Sequence, residues 1–200
     1  MVRSILPIFV LALAASVPAV ADELVPVPQF ESVQLRGGGE VVIVPGPAER
    51  VRIVEGSSRF TRIYVDRQRT LKIDVCNDNC PHLYRLRVEI ESPRVPALAV
   101  DGGGTMTVAG GFGSERGITV AVNGGGRIDT RAVNANEVTA AVNGGGALFV
   151  RAVSSLTGAV HGGGRSATGA IPRSRAPSRA AEASVPATEA GARPPRPGRC

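Results

Sequence analysis

Ile118-Thr-Val-Ala-Val-Asn-Gly-Gly-Gly-Arg-Ile-Asp-Thr130 and Val138-Thr-Ala-Ala-Val-Asn-Gly-Gly-Gly-Ala-Leu-Phe-Val150 carry one pattern, and its reading decides the fold. The three-glycine block recurs behind Asp101, Asn123, Asn143 and His161, at steps of 22, 20 and 18 residues. A period near twenty marks a stacked, quasi-one-dimensional architecture. Aligned on the block, residues two before it are Val100, Val122, Val142 and Val160; four before are Leu98, Val120, Ala140 and Gly158. Two after it stand Met106, Ile128, Leu148 and Ser166; four after stand Val108, Thr130, Val150 and Thr168. Even offsets are mostly apolar, and odd offsets hold Thr, Ala, Asp and Arg. Such alternation is that of half-buried strands. In a parallel stack the same offset returns directly above its predecessor, roughly 4.8 Å away. A column of Val, Ile and Leu then becomes a continuous interior.

The glycines recur for a physical reason. A sharp corner between strands needs positive φ or close backbone approach, and Gly reaches both without steric cost. The corner set is Gly102, Gly103, Gly104, Gly124, Gly125, Gly126, Gly144, Gly145, Gly146, Gly162, Gly163 and Gly164. Valine at Gly125 or Gly145 is expected to unfold the domain. The rival reading is a meander of antiparallel hairpins with Asn-Gly turns. It explains the turns but not the repeated register, so a stacked coil is preferred. A phosphate cradle is set aside, because that chemistry needs a helix opening after the glycines. Here each block leads into a strand pattern, and the chain's only lysine is Lys72.

Upstream, Phe30-Glu-Ser-Val-Gln-Leu-Arg-Gly-Gly-Gly-Glu-Val-Val-Ile-Val44 reads as strand, turn, strand. Gly37, Gly38 and Gly39 form a fifth copy of the block, lying outside the main array. Val51 and Ile53, then Leu71, Ile73 and Val75, then Leu86, Val88 and Ile90 alternate with Arg, Lys, Asp and Glu. No helical period appears, and the class is all-β. Cys76 and Cys80 flank Asn77-Asp78-Asn79, a turn-former that folds the two cysteines together. In an oxidising compartment they are expected to form a local disulfide. A metal site using Cys76, Cys80 and His82 is the alternative, although no fourth ligand is evident.

Composition supports a stack of small residues: 200 residues contain 25 Gly, 15 Pro and no Trp. The formal charge of +6 is unevenly placed. From Asp22 to Ala170 there are 16 Lys and Arg against 15 Asp and Glu; after that, six Arg face two Glu. A folded nucleic-acid reader carries its positive charge on the domain itself, so a nucleic-acid partner is not expected. Residues 1–21 have Arg3, an apolar run from Ile5 to Val17, and Ala19-Val-Ala21 before Asp22. This describes a secretory signal cleaved between Ala21 and Asp22. The apolar run is too short for a membrane span, and none is expected after signal removal. The expected organisation is a signal at 1–21, a lead-in at 22–28, a β domain at 29–170 and a disordered Pro/Arg/Ala-rich tail at 171–200. Cys200 could crosslink two chains, and stacking offers a second route to oligomers.

The opening Phe30-x-x-Val-x-Leu-x-Gly, the strand Thr70-Leu-Lys-Ile73, the step Pro96-Ala-Leu-Ala-Val-Asp-Gly-Gly-Gly104 and the Val-Asn-Gly-Gly-Gly repeats together resemble the head GIN domain family of auto-transporter adhesins. The resemblance covers residues 29–169. It implies a parallel β-helix-like stack, secreted or surface-exposed in bacteria, with no established catalytic residues. Members more often carry Gly-Ser-Gly where this chain has Gly-Gly-Gly.

The sequence shows no catalytic constellation, no cofactor motif and no metal set. Asp129 is the only acid on a strand of the later repeats, and Asp101 stands alone at a corner, where Asn123, Asn143 and His161 are expected to stack as a polar ladder. With two histidines and no matched nucleophile motif, nucleophilic catalysis lacks its parts. The expected function is a non-enzymatic envelope or secreted module binding a cell-surface, matrix or glycan ligand. The alternatives are a carbohydrate-active β-helix enzyme such as a polysaccharide lyase, which needs clustered carboxylates, and a structural periplasmic protein without a ligand.

Overall fold

The structure is a computed structural model that describes residues 22–76 and 79–168. The expected signal at 1–21 with its Ala21 cleavage position, the expected tail and Cys200 lie outside the described residues, as do Asn77 and Asp78. Among the described residues there are strands and no helices. In chain order the strands are β1 (Glu23–Val25), β2 (Ser32–Gly37), β3 (Glu40–Pro45), β4 (Arg50–Glu55) and β5 (Thr61–Val65). Next come β6 (Thr70–Val75), β7 (Arg87–Ser92), β8 (Ala97–Gly102), β9 (Thr105–Val108) and β10 (Glu115–Gly124). The last are β11 (Arg127–Asp129), β12 (Ala135–Asn143), β13 (Ala147–Val150), β14 (Ala152–His161) and β15 (Arg165–Thr168).

They form two sheets, ordered β1-β4-β7-β3-β9-β11-β13-β15 and β14-β12-β10-β8-β2-β6-β5. A three-glycine corner carries the chain from the second sheet to the first after β2, β8, β10, β12 and β14. Each such pair of strands makes one rung. Neighbouring rungs pair in parallel: Val122 lies beside Val100 and Val142, and Ile128 beside Met106 and Leu148. Hairpin turns would pair these strands antiparallel, so the meander is excluded. The described strands make two sheets and no closed coil. The parallel stack stands, and the closed β-helix does not follow from it.

The N-terminal region does not stack in chain order. β2 is paired in parallel with β6 on one side and β8 on the other, and β3 lies between β7 and β9. Gly37 stands in register with Gly102. The glycine copy at Gly37–Gly39, expected outside the array, is therefore a rung within it. The chain between makes the β6–β7 rung beneath, together with a cover of antiparallel strands. There β4 pairs with β7, β5 with β6, and β1 with β4. Tyr84 ties this cover down: its hydroxyl donates to Ser57 O at 3.0 Å and lies 2.7 Å from the hydroxyl of buried Thr61.

The core lies between the sheets and follows the alternation. Val33, Leu35, Leu71, Ile73, Val100 and Val122 project inward from one sheet. Val41, Ile43, Val88, Ile90, Met106, Ile128 and Leu148 meet them from the other. Every one is fully or nearly fully removed from water, which is the main favourable term in folding. Of the four phenylalanines among the described residues, only Phe30 is buried in this core.

Candidate functional site

The corners bring the sequence-marked residues together, and their backbone geometry comes first. Each corner bonds to the one below it: Thr105 N donates to Gly39 O, Arg127 N to Gly104 O, Ala147 N to Gly126 O, and Arg165 N to Gly146 O, at 2.9–3.0 Å. The sheet hydrogen-bond network thus continues around the bend. The three glycines differ in what they do. Gly124 has φ +108°, a left-handed conformation that side chains resist, and the first glycine of each later block repeats it. At Gly126 a Cβ would sit 2.5 Å from Val100 Cγ1 and 2.7 Å from Gly104 O. At Gly125 and Gly145, and equally at Gly38, Gly103 and Gly163, a Cβ would meet nothing within 4 Å. The expected sensitivity of Gly125 and Gly145 to substitution is therefore corrected: the middle position points into open space.

Outward from the corner runs a polar column. Asp74, Arg36, Asp101, Asn123, Asn143 and His161 occupy successive rungs in register. Asn143 Nδ2 donates to Asn123 Oδ1 at 2.9 Å, and Asn123 Nδ2 donates to Asp101 Oδ1 at 2.7 Å. Gln34 Nε2 donates to the other oxygen of Asp101. The Asn143 and Asn123 amides orient one way because the next member of the column, Asp101, is a carboxylate, which only accepts. Arg36 Nη1 lies 3.2 Å from Asp74 Oδ1 and extends the column. His161 stands exposed at its far end. Beside the column, Ala99, Ala121, Ala141 and Ala159 form a smooth strip, followed by Thr119, Thr139 and Thr157.

The outer face of the other sheet has a different chemistry. Arg131 grips Asp129 through Nε at 2.9 and 3.1 Å and through Nη2 at 2.5 Å. These bonds hold the Asp129 carboxyl below the usual carboxylate range, and they raise Arg131 in turn. Arg127 and Arg131 each place a guanidinium 5.0 Å from the centre of the Phe149 ring. Farther along, Arg52 pairs with Glu89 and, at 3.3 Å, with Asp22. Asp129 and Glu89 on this face are therefore engaged by arginines. The expectation that Asp129 is the only acid on a later strand is corrected, since Glu115 opens β10 and Glu137 lies exposed on β12; Asp101 and Asp129 themselves lie in different sheets.

Cys76 and Cys80 are joined in a disulfide with Cα atoms 5.7 Å apart. Joined sulfurs are no longer thiolate donors, so the alternative metal set with His82 loses two ligands. Among the described residues no group of three or more His, Cys, Asp or Glu is placed to hold a metal ion. Sequence reasoning missed one concavity, a cleft of about 280 Å³ at the crossover from β7 to β8. Phe30, Glu31, Glu49, Arg94 and Pro96 are among the residues that line it. Glu49 accepts from Phe30 N at 3.1 Å, and Glu115 accepts from Val95 N at 3.0 Å. These carboxylates anchor backbone. The flanking Pro93 and Pro96 were the available sign of a rigid crossover there.

With this geometry in hand, comparison with solved structures finds several neighbours, among them putative adhesins and a putative lipid binding protein. A putative adhesin from Parabacteroides distasonis superposes with a TM-score of 0.62 at 14% identity, over 74% of this chain and 64% of that one. This chain thus spans less than two thirds of that protein. A putative adhesin from Bacteroides fragilis matches with a TM-score of 0.48 at 15% identity, over 76% of this chain and 89% of that one. One from Parabacteroides merdae matches at 0.39 and 12% identity, over 74% and 90%. No protein-family signature matches the chain. No curated protein matches it by sequence. At this identity the first neighbour establishes a shared fold, and fold alone does not carry function.

Proposed function

We propose that the chain is a non-enzymatic, exported binding module of the bacterial envelope, related to the head GIN domains of adhesins. It presents the outer face of the β8–β10–β12–β14 sheet to a surface, matrix or glycan ligand. One observation carries this reading: the in-register array of Asp101, Asn123 and Asn143 beside the alanine strip. Each rung sets one polar side chain in the column, Asp101, Asn123, Asn143 and His161 in turn, and the last three rungs add Thr119, Thr139 and Thr157, with rungs roughly 4.8 Å apart. A polymer with repeating hydroxyl groups meets a hydrogen-bonding side chain at each step. The names of the structural neighbours agree with a binding role at a cell surface. Among the described residues no helix is long and apolar enough to cross a membrane.

A lyase or hydrolase would need paired acids or a metal on one face. Here Asp101 accepts from two amides and Asp129 is clasped by Arg131, on different sheets. The test is incubation of the purified protein with cell-wall fractions and a panel of neutral and acidic glycans. Retention without turnover, weakened when Asn123 and Asn143 are both changed to Leu, is the expected result. Release of shortened products would sink the proposal.

A further inference from the structure

The two ends of the stack are finished differently. At the β4–β5 end, antiparallel strands cover the last parallel rung. The outer strands there are β1, three residues long with Glu23, and β5, whose Arg62 guanidinium lies 4.6 Å from the Tyr64 ring centre. Short length and charge are the usual protections of a sheet edge. At the other end β14 is ten residues long and contains no proline and no Asp, Glu, Lys or Arg. It pairs with β12 on one side, and among the described residues no strand lies on the other. The interior column is also cut off there: Val142 is 1% exposed, while Val160, directly above it, is 44% exposed.

The chain's own continuation is a poor candidate to close this end. Residues 169–200 hold six prolines and six arginines with no period-two run, and proline cannot donate to a strand ladder. The edge instead complements itself. An antiparallel pairing about a two-fold axis at Leu156 sets Leu156 against its copy. It sets Ser155 against Thr157, and Ala152 against Val160. From Ala152 to Val160 no two charges face each other. We infer that β14 is a dimerisation edge, at which a second copy of this chain adds its own β14 antiparallel and joins the two stacks end to end. The covered far end leaves no equivalent uncharged edge for further growth, so association closes at two.

Sedimentation of the full chain carrying Cys200→Ser, which removes disulfide crosslinking through that position, tests this. A reversible dimer is expected. Ser155→Lys with Thr157→Lys places lysines opposite lysines across the axis and weakens association about tenfold or more. Both positions are exposed, so the circular dichroism spectrum stays that of the parent. Ser155→Lys with Thr157→Glu sets opposite charges face to face and restores the dimer. A monomer at all accessible concentrations overturns the inference; protection of β14 amides from exchange in that monomer would assign the edge to residues 169–200. A dimer indifferent to all of these substitutions overturns it equally.

Discussion

Within one corner, three identical residues have three different tasks. Gly124 supplies a left-handed bend, Gly126 lets one turn of backbone lie against the next, and Gly125 faces solvent. Gly126→Ala must displace Val100 and a carbonyl at once, and overpacking of this kind costs about 1–3 kcal/mol. Gly125→Ser is expected within about 0.5 kcal/mol of the parent, as for other open surface positions. Thermal unfolding of the two variants side by side checks the difference, and equal melting would mean the corner is misassigned. The same geometry accounts for the Gly-Ser-Gly form of the resembled family, since the hydroxyl falls at the open middle position. Sequence alone could not rank the three glycines, because the letter is the same while the contacts come from the rung below.

Strand by strand, the sequence was most informative where neighbours in space are also neighbours in the repeat. The column Val100, Val122, Val142 and Val160 pairs in the register that simple alignment gives, and so does Met106, Ile128 and Leu148. The Asn143–Asn123–Asp101 ladder was legible for the same reason. Burial along a column is not uniform, however. Val122 is fully enclosed between rungs, and Val160 has a rung on one side only. Val122→Ala should cost roughly 2–3 kcal/mol, through lost burial and a cavity. Val160→Ala should cost less than about 1 kcal/mol in the monomer, measured by denaturant unfolding at low protein concentration. Similar losses at the two sites would show that the end of the stack is covered in the monomer.

Across the whole molecule, what stayed hidden was order. Period-two alternation identifies β2, β3, β6 and β7 as strands, but nothing in it says that β6 and β7 slip beneath β2 and β3. That arrangement depends on which free edge a later strand reaches, which is a property of the assembled sheets. The cleft at the β7–β8 crossover was hidden for the same reason: Phe30, Glu49 and Arg94 meet only once the first rung is enclosed. The face assigned to ligand, by contrast, was readable as odd offsets of the repeat, since outward residues need only one register to line up.

The out-of-order rung divides the chain by how it can vary in length. Up to β9 the strands pair out of chain order, β2 between β6 and β8 and β3 between β7 and β9, so inserting or deleting a unit there would separate strands that must pair across the interruption. From β10 onward each rung rests only on the one before it and offers a like surface to the next. A tandem copy of residues 115–134, placed after Asn134, should enter as one more rung. Scattering from such a chain should show a longer particle, with the additional strand content visible by circular dichroism. Repeat number is thereby free to change at one end while the other stays fixed, so the extent of the presented face can be altered by gene duplication without redesigning the out-of-order rungs.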